Sequence, residues 1–575
     1  MLQDGLDEQA NSGGFVVSDW GAAGNAVADL EGGMDIAMPF SNASDVSAAL
    51  VAGTLNQSTL NAAVARILTQ MFAFGMFDNP QTGSLSATVT TAAHQQTALQ
   101  LGEEGSVMLK NNGLLPLNPN GSESIAVLGT DGGAAVEIAG GGSGGVDSSD
   151  AVWPLTGIQQ AVGPNVKVTY TPGDDNGTTD IPQAVAAAQA ATDAVIVVSL
   201  PEGEESDLKT LDLSGADETM IADVAAVNPN TIVVINSGGP VVMPWISSVA
   251  GVFENWYGGQ ETGAAMAALI FGTVDPSGKL PVTFPASLSQ VPAQTQAQWP
   301  GTATGVTYSE GVNIGYRWYQ SQNITPQFPF GYGLSYTKFS FSNLKVGAFN
   351  ANGSATVTAT ITNTGSVAGA DVAQMYVGDP AASQDPPEQL AGFQRTTLTP
   401  GQTATMSFPL TIHDLASWSA ADNAWEAQAG TYSISVGDSS ATLPLTGSTS
   451  LAHELTGQIA AGASGAGVSL ANTAVSANVT PNSGAPGAET VGVVNPYGYS
   501  SLKGAAVSFD MQAEDSNPSQ TLTFTATGLP PGITIASNGT ISGSGSSLGT
   551  YTVTVTATDT EGVSGTATFV WSVVQ

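Results

Sequence analysis

Gly14-Phe15-Val16-Val17-Ser18-Asp19-Trp20-Gly21 is a run of buried-type residues that stops abruptly at a carboxylate and an indole. Apolar residues followed by Ser-Asp-Trp read as a short strand that delivers an acid and an aromatic ring at its C-terminal tip. In β/α barrels that tip is where chemistry is placed. A carboxylate beside a flat apolar ring suits a sugar, because the ring face stacks on C–H groups while the carboxylate attacks or stabilises an anomeric centre. A strand followed by an Asp that caps the next helix explains the same residues. The stretch alone leaves both readings open.

Working outward, residues 1–85 alternate strand and helix. A helix is expected over 22–31, a proline-stopped strand over 33–39, and helices over 44–52 and 56–74, the last with Leu60, Val64, Ile67, Leu68, Met71 and Phe72 on one face. This amounts to about two βα units, whereas a closed barrel needs eight and about 250 residues. The expectation is therefore a partial (β/α)8 barrel remnant, the chain beginning near the end of a barrel whose larger part it does not contain. Residues 90–300 repeat strand and helix as in an α/β sandwich with a mostly parallel sheet, with apolar runs at 124–128, 166–170, 194–200 and 231–235. Loops after the carboxyl ends of such strands are the expected ligand positions, and the acidic segment 202–207 is one of them.

After a connecting segment at 301–334, the period changes to the two-residue alternation of strands. Residues 335–446 read as one β-sandwich, 447–485 as a Gly/Ala/Ser/Thr-rich linker, and 486–575 as a second sandwich. The overall class is multidomain, α/β followed by β.

Composition narrows the function. With 10 Lys+Arg against 47 Asp+Glu the formal net charge is -37, which argues against nucleic acid or an anionic membrane as partner. The chain has no cysteine, which excludes disulfides, thiol catalysis and Cys-ligated zinc, and only three scattered histidines, His94, His413 and His453, so no metal or other cofactor is expected. No apolar run is long enough to span a bilayer and no signal peptide is read in this chain. The Gly/Ala/Ser/Thr-rich, Lys-poor composition resembles that of secreted bacterial proteins. Gly140-Gly141-Gly142-Ser143-Gly144-Gly145 satisfies both G-x-G-x-x-G and G-x-S-x-G, but no amphipathic helix follows it, so it reads as a flexible loop, at most at a cleft edge.

The residues then match a family. Residues 14–21 resemble the nucleophile segment of glycoside hydrolase family 3, and Gly33-Met34-Asp35-Ile36-Ala37-Met38-Pro39 the barrel strand that follows it. The likeness continues through 94–117, Trp256-Tyr257-Gly258-Gly259-Gln260-Glu261 and Pro276-Ser277-Gly278-Lys279-Leu280-Pro281, then through Gly315-Tyr316-Arg317-Trp318-Tyr319 and 328–336 into what resembles the family's fibronectin type III-like domain. The resemblance implies a retaining, exo-acting β-glucosidase-like enzyme acting on β-glucosides or oligosaccharides. Asp19 takes the place of the nucleophile, Glu204 in Gly203-Glu204-Glu205-Ser206-Asp207-Leu208 that of the acid/base, and Trp20 lines the sugar site. Glu205 and Leu208 stand where the family pattern has glycine and arginine, so Glu202 and Glu205 remain alternatives to Glu204. The chemistry calls for donors around Asp19 and for burial or carboxylate neighbours that raise the pKa of Glu204.

The family's sugar-holding Lys-His pair, Arg and Asp precede the nucleophile strand, and no residue here takes those places. Impaired turnover of this chain is expected, with an oligomer or partner chain covering the incomplete barrel as one remedy. The rival reading is a non-catalytic carbohydrate-binding or surface-attachment protein derived from a glycosidase. Residues 522–555 resemble the cadherin-like or immunoglobulin-like repeats of bacterial surface and secreted proteins, and Asp510, Glu514, Asp515 and Asp559 are oxygen donors that either calcium or plain solvation would explain.

Overall fold

The computed structural model describes residues 14–574 except 40–42, 80–81, 85–86, 122–123, 135, 147, 149, 175–176, 205, 207, 350–352, 381–385, 420–423, 458–490, 494–498, 505, 512 and 516–519. It divides into two units, residues 1–90 and 91–575.

In the first unit β1 (Val17–Trp20) and β2 (Ile36–Met38) pair in parallel as a two-stranded sheet, which does not close into a barrel. Helix α1 (Ala26–Glu31) starts later than the sequence suggests, because Asn25 caps it by accepting from the amides of Val27 and Ala28. Helices α2 (Ala43–Ala52) and α3 (Gln57–Ala73) follow. Asp35 ties these pieces together. Its fully buried carboxylate accepts from Val16 N at 2.8 Å and pairs with Arg66 of α3 at 2.7 Å, so strand entry and helix share one charge-assisted contact. Ala63 of α3 is buried, yet Val64, Leu68 and Phe72 on the adjoining stripe are exposed, the Phe72 ring lying tilted against Phe77 at 4.4 Å.

The second unit begins with α4 (Ala92–Gly105), capped by Thr91, whose side chain accepts from His94 N. A six-stranded sheet follows: β3 (Val107–Asn111), β4 (Ser124–Leu128), β5 (Lys167–Thr171), β6 (Asp193–Leu200), β7 (Thr231–Ser237) and β8 (Gly251–Glu254) in the order β3-β8-β7-β6-β4-β5. All neighbours are parallel except the β3–β8 edge pair. Every residue of β6 and β7 is buried, as expected of strands covered on both faces. Helices α5 (Pro154–Ala161), α6 (Ile181–Ala190), α7 (Gly215–Val227) and α8 (Thr262–Ile270) supply that cover. The chain leaves β4 for β5 on one side and returns to β6 on the other. The strand order therefore reverses at β4/β6, and the space beyond their carboxyl ends is where such a sheet binds its ligand.

A short helix, α9 (Tyr316–Ser321), precedes the fibronectin type III-like sandwich. The sandwich comprises β9 (Phe339–Val346), β10 (Ser354–Asn363), β11 (Gly369–Gly378), β12 (Gln389–Leu398), β13 (Thr403–Thr411), β14 (Ser417–Ser419), β15 (Ala424–Ala427), β16 (Gly430–Gly437), β17 (Leu445–Leu451) and β18 (Leu455–Gly457). Sheets β13-β10-β9 and β12-β11-β16-β17 enclose Val357, Ile361, Met375, Phe408 and Ile434. The stretch that composition reads as the start of a linker is still strand here: β17 pairs with β16 and β18 with β15. Small and hydroxyl side chains suit an edge strand as readily as a tether, and pairing with an already ordered neighbour decides between them. The rest of the expected linker lies outside the described residues.

The last sandwich centres on fully buried Trp571, with Val553, Val555 and Phe569 around it, and its long hairpin pairs Gly549–Thr558 with Ser564–Val574. Asp559 is buried at the hairpin turn, its Oδ1 accepting from the amides of Glu561 and Val563. The side chains of Asp510, Glu514 and Asp515 lie outside the described residues. No described helix is long and apolar enough to cross a membrane.

Candidate active site

In the first unit Asp19 sits at the C-terminal tip of β1 with its side chain exposed, its Oδ1 accepting from Trp20 N at 2.6 Å. Trp20 is 72% exposed, an indole presented rather than packed. Ser18, one residue earlier, points the other way and accepts from Met38 N at 2.8 Å. The alternation of a strand thus separates the residue that anchors β2 from the one that displays the acid.

In the second unit the loops that leave β4 and β6 meet beyond the switch point. Gly141 N donates to Glu202 O at 2.8 Å, and Glu204 N to Gly141 O at 3.3 Å, so the two loops pair as one bridge of parallel sheet. Ser143 N then donates to Glu204 Oε2 at 2.8 Å. The glycines have a reason to be there. Gly142 has φ +85°, and a Cβ at that position would fall 2.4 Å from the Cβ of Glu204. The glycine run dismissed as a flexible cleft-edge loop is the cradle of the carboxylate that the sequence singles out.

Electrostatically the site departs from expectation. The Glu204 carboxyl is solvent-facing, and the Ser143 hydrogen bonds lower its pKa instead of raising it. Glu205 and Asp207, two of the expected sources of carboxylate repulsion, lie outside the described residues. It is Glu202 whose pKa rises, because burial outweighs the pull of the Gly238 and Gly239 amides that lie against it at the end of β7. Glu202 is thus seated inward on a backbone turn, whereas Glu204 faces out.

Two further residues have no place in the sequence reading. Tyr257 donates its hydroxyl to Leu200 O and accepts from Glu202 N, both at 2.7 Å. Burial pushes that phenol up to about 12, so the hydroxyl keeps its proton. Glu254 ends β8 fully buried, with burial holding its carboxyl well above the usual range. Tyr257 belongs to the segment quoted above from Trp256 and Glu254 lies two residues before it, so the available signal is an acid and a phenol close to that Trp.

Beside this site Asp131, Asp174 and Asp217 gather beyond β4, β5 and the start of α7. Asp174 Oδ1 accepts from Thr130 N and Oγ1 at 2.6 and 2.7 Å, and Ser214 Oγ donates to Asp217 Oδ2 at 2.7 Å. Burial, then the hydrogen bond shared with Asp174, pushes Asp217 up to about 7; burial pushes Asp131 up to about 6. Among the described residues no group of His, Cys, Asp or Glu is arranged to hold a metal ion. Because the folded state holds these protons more tightly than the unfolded chain, their contribution to stability is present at low pH and lost as pH rises from about 4 through about 7. Each group contributes a slope of about 1.4 kcal/mol per pH unit while it titrates. Denaturant midpoints at pH 5 and pH 8 should show the fall, and Asp217→Asn should flatten it and stabilise the fold at pH 8. An unchanged slope in Asp217→Asn would refute the assignment.

Comparison with known proteins places these observations. Residues 106–336 match the Glycosyl hydrolase family 3 C-terminal domain, 371–440 the Fibronectin type III-like domain and 489–574 an Ig domain family. The chain is 35% identical over 458 residues to thermostable beta-glucosidase B of Acetivibrio thermocellus, covering 76% of this chain and 59% of that protein. It is 34% identical over 513 residues to a probable beta-glucosidase L of Aspergillus terreus, covering 78% and 68%. An exo-alpha-(1->6)-L-arabinopyranosidase of Bifidobacterium breve is 34% identical over 464 residues, covering 76% and 59%. Among solved structures, DesR, a beta-glucosidase from Streptomyces venezuelae in complex with D-glucose, superposes with a TM-score of 0.73 at 27% identity, covering 78% of this chain and 73% of that one. On the sequence blocks, the doubly covered sheet with its switch point, the sandwich that follows and these relatives together, the chain belongs to glycoside hydrolase family 3.

Proposed function

We propose that the protein is a retaining, exo-acting β-glycosidase of β-glucosidase type that removes terminal non-reducing β-D-glucosyl residues by double displacement. Asp19 attacks the anomeric carbon, Glu204 protonates the leaving oxygen and then deprotonates the water that cleaves the glycosyl-enzyme, and Trp20 stacks on the sugar. The observation that carries this reading is the Glu204 carboxyl, facing outward from a built cradle beyond the switch point, in a chain whose relatives include β-glucosidases. Glu202, tied to the Gly238–Gly239 turn, suits an anchoring role better than an acid/base one. Retaining chemistry requires the two reacting carboxyls about 5 Å apart.

The resting contact with Ser143 favours ionised Glu204, the form needed in the second step. For the first step the incoming sugar and the charge of Asp19 must outweigh that contact. The arabinopyranosidase among the relatives keeps the identity of the sugar open to test. The 575-residue chain turns over slowly on this account. Its described strands before residue 90 form only a two-stranded sheet, beside which Val64, Leu68 and Phe72 lie exposed, a surface suited to an oligomer or partner chain. The setting that fits the composition is extracellular.

The test is hydrolysis of a panel of aryl β-glycosides by this chain beside Asp19→Ala. Slow turnover of the glucoside, abolished by the substitution, is the expected result. Sugar binding without turnover would favour the rival reading, a non-catalytic carbohydrate-binding protein.

A further inference from the structure

Trp256 has φ +53°, a left-handed conformation that is costly for a bulky residue and persists only where the surroundings impose it. The surroundings here are specific. Glu254 Oε1 accepts from Trp256 N at 2.9 Å, Trp256 Nε1 donates to Gly105 O at 3.1 Å, and the indole meets the Phe284 ring edge-on at 6.2 Å. The turn aims the next residue, Tyr257, at the end of β6. There its hydroxyl spans Leu200 O and Glu202 N, and its ring fills the space at Gly140 and Gly238, where an added Cβ would lie 3.1 and 3.2 Å from it. From that hydroxyl an unbroken series of bonds reaches the acid: Glu202 N, then Glu202 O to Gly141 N, Gly141 O to Glu204 N, and Ser143 N to Glu204 Oε2.

We propose that Tyr257 is the positioning residue for Glu204, aimed by the left-handed Trp256 turn that buried Glu254 holds. The proposal rests on the reading of Glu204 as the acid/base. Proton donation depends on placing the carboxyl within a fraction of an ångström of the leaving oxygen. The ring of Tyr257 packs the two loops together, but only its hydroxyl satisfies the two backbone groups from which the Glu204 segment departs.

Tyr257→Phe keeps the ring and deletes the brace. Amide hydrogen exchange is the first readout because it needs no turnover: the Glu202 amide should exchange about tenfold faster, as loss of one hydrogen bond implies, while amides in the middle of β6 stay at the parental rate. The kinetic readout is the leaving-group dependence of kcat/KM. An alkyl β-glucoside, which needs protonation, should lose about 10- to 100-fold, while a dinitrophenyl β-glucoside, which does not, should change less than about threefold. Glu254→Gln, which keeps an acceptor for Trp256 N, should exchange like the parent, and Glu254→Leu like Tyr257→Phe. Unchanged exchange at Glu202 in Tyr257→Phe, or an equal loss with both leaving groups, would overturn the proposal. If Glu204→Gln itself shows no leaving-group dependence, or the parent chain shows no turnover, it is the acid/base reading that falls, and the exchange rates still decide the brace.

Discussion

Glu204→Gln should lower kcat/KM for a glucoside with a poor leaving group by about 10²- to 10⁴-fold, the usual worth of a positioned proton donor. The amide cannot give up a proton to the departing oxygen, so the loss should shrink as the leaving group becomes more acidic and nearly vanish for a dinitrophenyl glucoside. In the second step of the proposed mechanism the same residue deprotonates water, so the variant should accumulate the glycosyl-enzyme. Azide, which attacks without a base, should then restore turnover and yield the β-glucosyl azide. The fold should be untouched, because Glu204 is exposed and the bond it loses joins one side chain to one amide. A uniform loss across leaving groups with no azide rescue would move the role to Glu202 or Glu205, which the same series of variants would reveal.

Lys279→Ala should be the most damaging single substitution at the contact between the α/β sandwich and the fibronectin type III-like domain. The Lys279 ammonium pairs with Asp371 of β11 at 2.8 Å and donates to Gly333 O at 2.9 Å, with both side chains largely buried. Burial raises the pKa of Asp438, the Lys279 charge lowers it and Asp371 raises it, while burial and, more weakly, Asp371 raise that of Asp275. One cation therefore acts on both Asp371 and Asp438. Removing it leaves Asp371 buried without a counter-ion, which costs about 3–5 kcal/mol when a buried pair is broken from one side. The melting transition of these two domains should drop accordingly. Lys279→Met combined with Asp371→Leu should recover most of the loss, since an apolar pair of similar volume has no charge to desolvate. A loss below about 1 kcal/mol would put the pair among the surface ion pairs.

Periodicity reveals most of the elements. The buried runs of β4, β6 and β7 are legible as apolar stretches rich in Val and Ile, and the ends found differ from those expected by only a few residues. Where the sequence misleads, a tertiary contact outweighs a local signal. Asn25 delays α1 because its side chain can accept from two amides at once, and residues 445–457 join the sandwich because β15 and β16 offer open edges. The site divides in the same way. Asp19 and Glu204 stand out as acids at the ends of apolar runs, a pattern visible in one dimension. Tyr257 and Glu254 act through backbone groups more than 50 positions away or from within a buried strand end, and the glycine run matters because of what it meets, which composition does not state. The protonation logic of Glu204 is the least legible part, since the Ser143 side chain and amide that lower its pKa lie 61 positions away in the sequence.

The central claim is a covalent intermediate on Asp19, and trapping tests it most directly. An activated 2-deoxy-2-fluoro-β-glucoside slows departure of the glycosyl group more than its arrival, so a retaining enzyme accumulates the ester. Mass spectrometry of the intact chain, followed by peptide mapping, reads it. The account predicts one fluoroglucosyl group per chain, located on Asp19 and absent from Asp19→Ala. Turnover of glucosides with the label on another residue, or with no label at all, would contradict it.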